Sequence, residues 1–122
     1  MVYIKSYKEL IVWQKSMVLV REIFRLTEKF SKSELYGLVS QMRRAAVAIP
    51  SNIAEGYGRR SRKEYTRFYS IAYGSGLELE TQLILSKDLK LAPELGFQKS
   101  EILLSEVLKM LNFMIAKLNA RR

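Results

Sequence analysis

Gln41-Met-Arg-Arg-Ala-Ala-Val-Ala-Ile-Pro-Ser-Asn-Ile-Ala-Glu-Gly56 reads as an amphipathic helix with a proline in its middle and two arginines near its front. Leu38, Met42, Ala46, Ile49, Ile53 and Tyr57 recur at three- or four-residue spacing, which places them on one helical face. Pro50 has no backbone donor, and its ring collides with the carbonyl four residues back, at a cost of about 3 kcal/mol in a helix interior. An apolar stripe that continues across such a break predicts a helix held by its neighbours and kinked at Pro50. The stretch therefore points to a packed bundle, and its own chemistry is arginine and amide.

Working outward, three further segments carry helical periodicity. The first spans about 7–30, where Leu10, Trp13, Met17, Val20 and Phe24 form one stripe and Ile11, Val18, Leu19, Ile23, Leu26 and Phe30 widen it. Ser31-Lys-Ser-Glu34 supplies capping residues before the second segment, about 35–57, which Gly56 and Gly58 are expected to close. The third begins after Ser61, a plausible N-cap, and runs to about Lys90 along Tyr65, Phe68, Tyr69, Ala72, Gly76, Leu79 and Leu83. Gly74 and Gly76 fall inside it, which suggests close helix approach or a local kink. Pro93 and Glu94 suit the start of the fourth, whose pattern is firm from Ile102 to Leu118. Four segments of similar length with short connections predict an all-α, antiparallel up-down-up-down four-helix bundle in a single domain, 1–122.

Composition narrows the chemistry. With 122 residues the chain is long enough to bury a core. It contains no cysteine, so disulfides and thiolate metal sites are excluded. It contains no histidine either, which removes the commonest general base and metal ligand. No cofactor and no metal are expected, and the balance tilts against catalysis. A formal charge of +9 implies attraction to polyanions, nucleic acid first. No signal peptide and no membrane span is visible, so a cytoplasmic protein is expected.

The charge gathers in one place. Arg59, Arg60, Arg62, Lys63 and Arg67 lie within nine residues interrupted by one acid, Glu64. Arg43 and Arg44 precede them on the second segment, and Arg121 and Arg122 end the chain. Guanidinium forks suit phosphate oxygens, so the cluster could hold a nucleic-acid backbone. It could equally be a solvated loop with ion pairs to acids on the first and fourth segments. Polar residues also fall beside the apolar stripes: Asn52 and Glu55 on the second segment, Glu80 on the third. A buried carboxylate must be paired, which suggests a structural polar network of Asn52, Glu55 and Glu80, with Arg44 as one partner, inside the bundle or at a subunit contact. The alternative is that both glutamates lie at the solvent edge. Segments one and four carry more apolar surface than one core needs, which self-association would cover.

Leu10-Ile-Val-Trp-Gln-Lys15, Tyr36-Gly-Leu, Gln41-Met-Arg-Arg-Ala-Ala-Val, Ile49-Pro-Ser-Asn-Ile-Ala-Glu-Gly56 and Gly74-Ser-Gly-Leu-Glu-Leu-Glu80 closely resemble the 23S rRNA intervening-sequence family, in the same order and spacing. The resemblance implies a four-helix bundle that commonly assembles as a ring-shaped homopentamer. A related group resembles the accessory variability proteins of diversity-generating retroelements, basic pentamers that bind a reverse transcriptase and nucleic acid. Trp13, Arg43, Arg44, Pro50, Asn52, Glu55 and Glu80 fall on family motif positions, and the family offers no agreed active residues to carry over. The expectation is thus a non-enzymatic, homopentameric basic bundle that binds RNA or DNA, or a nucleoprotein, through phosphate contacts. The alternative is a protein-interaction module, such as an accessory subunit of a reverse transcriptase. A third reading, an enzyme using Glu55 and Glu80, requires the two carboxylates to converge.

Overall fold

The computed structural model describes residues 4–120, so Arg121 and Arg122 lie outside the described residues. Within them the chain forms four α-helices and no strand: α1 (Ile11–Thr27), α2 (Ser40–Arg59), α3 (Arg62–Asp88) and α4 (Gln98–Ala120). A short 3-10 turn, Tyr7–Glu9, leads into α1, and another, Glu94–Phe97, leads from Pro93 into α4. Between α1 and α2 the chain makes a 3-10 turn, Lys32–Glu34, and a wide π turn, Leu35–Val39. Gly37 (φ −105, ψ −105) takes up the change of direction there.

Each helix packs on the next, and α4 closes back onto α1. The side-chain contacts run in opposite senses along every pair. Arg43, early in α2, meets Thr27 at the end of α1, and Tyr57, late in α2, reaches back to the Ile4 carbonyl. Gly56 approaches Phe68 while Met42 meets Ser86. Lys87 pairs with Glu101, and Tyr65 and Tyr69 meet Met114 and Leu118. Lys15 pairs with Glu106, and Glu22 with Lys99. Neighbouring helices are therefore antiparallel.

The stripe of α2 does what its spacing predicts: Met42, Ala46, Ile49 and Ile53 are fully buried. Pro50 is buried too, and α2 runs through it without interruption. Next to it, Asn52 Nδ2 donates to the Ala48 carbonyl of its own helix at 2.8 Å. The expected glycine closure of α2 is corrected. The helix passes Gly56 and Gly58 and ends at Arg59, with Arg60 supplying the left-handed cap (φ 60). Gly56 serves packing instead. A Cβ there would lie 2.8 Å from Phe68 Cβ, so only glycine lets α3 approach this closely. Gly76 likewise gives room to Leu108, whereas Gly74 faces open space.

In α1 the first of the expected apolar lines is only half-buried: Leu10, Trp13, Met17 and Val20 are intermediate and Phe24 is exposed, whereas Leu19, Ile23 and Leu26, expected to widen it, are buried. The core face is Val12, Ser16, Leu19, Ile23 and Leu26. Ser16 and Thr27 can lie there because each hydroxyl donates to a carbonyl of its own helix, Trp13 at 2.7 Å and Ile23 at 2.7 Å. Apolar side chains remain outside, among them Ile11 (61% exposed) on α1, Ile84 (56%) on α3, and Ile102 and Phe113 (67%) on α4.

Candidate nucleic-acid interface

The end of α2 and the start of α3 meet at a two-residue corner, and the basic cluster occupies both sides of it. Ser61 shapes the turn: its Oγ accepts from the Glu64 amide at 3.2 Å and caps α3. Arg59, Arg60, Arg62, Lys63 and Arg67 are all exposed. The buried ring of Phe68 organises two of them. Arg59 lies over it at 5.2 Å and Arg67 at 5.0 Å, within the range where a ring face attracts a guanidinium. Each is also tethered on its own helix, Arg59 to Glu55 at 3.1 Å and Arg67 to Glu64 at 3.5 Å. The acids that hold these two arginines are thus local ones, Glu55 on α2 and Glu64 on α3. Such solvent-exposed pairs are worth at most about 1 kcal/mol, so they steer the side chains without cancelling the field of the other cations.

Arg43 and Arg44 do not join this corner. They lie some sixteen residues earlier on α2, about 24 Å along its axis. Arg43 is a clamp on α1: Nε donates to Thr27 Oγ1 at 2.9 Å, Nη2 donates to the Phe24 carbonyl at 3.4 Å, and the guanidinium lies 4.5 Å from the Phe24 ring centre. Arg44 is exposed.

Residues 8–113 match the family model of the 23S rRNA-intervening sequence protein. The chain belongs to this family. The matched span contains the whole corner together with Arg43, Arg44, Asn52, Glu55 and Glu80. Among curated proteins none matches the chain.

In this chain the polar network does not form inside the bundle. Asn52 bonds within its own helix, Glu55 is exposed and pairs with Arg59, and Glu80 is exposed on α3. The periodicity misplaces Glu80 because it lies on the line of Tyr73, Leu77 and Ile84, itself an outward line of which Leu77 and Ile84 are exposed. Glu55 and Glu80, both solvated, do not converge into a two-carboxylate site. The carboxylate that is buried is Glu22, which pairs with Arg25 on its own helix and with Lys99 of α4 at 3.9 Å. Among the described residues no group of three or more acids is placed to hold a metal ion, and no helix is long and apolar enough to cross a membrane.

Two concave features escape the sequence reading. Beside the corner, Tyr65, Tyr69, Met114, Lys117 and Leu118 line a cleft of about 260 Å³ between α3 and α4. Burial, helped by the nearby Tyr65 and Tyr57, pushes the Tyr69 phenol above its ordinary value of 10.0, so it stays protonated. At the opposite end of the bundle, Lys29, Lys87 and Lys90 border a shallow cavity of about 580 Å³ beside Pro93 and Glu94.

Proposed function

We propose that the chain is a non-enzymatic, cytoplasmic bundle protein that binds RNA, or a nucleoprotein, through phosphate contacts at the α2–α3 corner. The observation that carries this reading is the arrangement of Arg59, Arg60, Arg62, Lys63 and Arg67 on one exposed corner, with two guanidiniums steered by Phe68. Preset arginines lose less freedom when they meet phosphate oxygens, and they recognise backbone rather than base sequence. Arg43 is assigned to the fold, and Arg44 remains a secondary contact of the same chemistry.

Self-association belongs to the same reading. The exposed apolar residues on α1, α3 and α4 favour burial against further copies, and the pentameric number is the one the family resemblance implies. Glu80, between Leu77 and Ile84 on the outer line of α3, is the carboxylate such an assembly would bury. The test of binding is filter retention of RNA at low salt by the parent and by a variant with Arg60→Glu, Arg62→Glu and Lys63→Glu. These positions leave the Phe68 stack intact, and acids at 62 and 63 favour the start of α3. Loss of retention supports the assignment; unchanged retention removes it.

A further inference from the structure

Arg62, Tyr65 and Tyr69 fall at i, i+3 and i+7 of α3, so the basic corner continues along that face into the aromatic cleft. The two tyrosine rings are nearly parallel, with planes 17° apart and centres at 6.3 Å. The cleft, at about 260 Å³, is smaller than the pockets that take drug-sized ligands and suits a single planar ring system. Its walls are the two tyrosines, Met114 and Leu118, and Lys117 of α4 adds a cation. Tyr65 lies about one helical turn from Arg62, so a ring held at Tyr65 and an anion held at Arg62 are close neighbours.

We infer that this cleft takes one unpaired nucleobase of a single-stranded nucleic acid whose adjoining phosphates lie on the α2–α3 corner. The inference rests on the phosphate-binding reading above and adds the class of ligand. Aromatic stacking accepts any base, because every base has a π face, and it needs a face freed from its duplex neighbours. A duplex offers the corner more phosphate but offers the cleft nothing. Charge alone therefore favours duplex, and the cleft favours single strand.

The experiment measures fluorescence anisotropy with a labelled RNA oligonucleotide of mixed sequence, its duplex, and the same strand carrying abasic positions, all at one salt concentration. The single strand is expected to bind roughly tenfold more tightly than the duplex, the scale of one stacked base. Abasic substitution and Tyr65→Leu each remove that advantage, while Tyr65→Phe keeps it. The abasic probe tests the parent protein and so does not depend on how a variant folds. Equal or tighter duplex binding overturns the inference, as does a preference that survives both abasic substitution and Tyr65→Leu. If strand and duplex bind alike and both are lost on reversing Arg60, Arg62 and Lys63, the cleft inference falls and the phosphate reading stands. If the parent binds neither, both fall.

Discussion

Arg43 commits its donors to α1, with Thr27 Oγ1 at 2.9 Å and the Phe24 ring beneath its guanidinium, whereas the next residue, Arg44, is exposed. Arg43→Ala is therefore expected to lower unfolding free energy by about 1–2 kcal/mol, and Arg44→Ala to change it by less than about 0.5, as read from urea midpoints. Equal effects would contradict the clamp. The two arginines are adjacent in the sequence and of one type, so only the rotation of α2 distinguishes them. Glycines show the same ambiguity. Gly56→Ala drives a Cβ to 2.8 Å from Phe68 Cβ, which a side-chain rotation cannot relieve, and should cost about 1–3 kcal/mol. Gly74 has nothing within 4 Å, so Gly74→Ala should stabilise the helix by roughly 0.5–1 kcal/mol. Thermal melts of the two variants should move in opposite directions.

At the scale of the element, α3 ends in a paired hydrogen-bond cap built on the wrong residue for it. Leu91 donates to the Ser86 carbonyl and Lys90 to the Lys87 carbonyl, both at 3.1 Å, while Lys90 holds φ at 56. A side chain in that conformation is disfavoured by roughly 1 kcal/mol, and glycine removes the penalty. Lys90→Gly is expected to raise the urea midpoint accordingly; a fall would show that Lys90 contributes more through its surroundings than its backbone costs. Element boundaries were partly legible. Ser61 announces α3 correctly, and the α2 stripe is buried as spaced. The face of α1 was not legible, because two apolar lines overlap on it. The true core line contains Ser16 and ends at Thr27, whose hydroxyls are satisfied by their own helix, and it therefore looks less apolar than the half-buried line of Trp13, Met17 and Val20. Periodicity alone ranks such lines by composition, and packing ranked them otherwise.

At the scale of the molecule, the bundle brings the basic cluster, the Phe68 platform and the Tyr65–Tyr69 cleft onto neighbouring surfaces, while Arg43 is drawn to the far end of α2. The charge cluster was visible in the sequence because it is local. The cleft was not, since Met114, Lys117 and Leu118 reach α3 only through the antiparallel packing of α4. The central claim is that the α2–α3 corner neutralises nucleic-acid phosphates. Its most direct test is the slope of log affinity against log salt for single-stranded RNA, measured for the parent and for the variant reversed at Arg60, Arg62 and Lys63. Each phosphate neutralised on a single strand contributes about −0.7 to that slope. The expected result is a slope shallower by roughly 2 and weaker binding throughout in the variant. A variant with the parent's slope and affinity would contradict the claim.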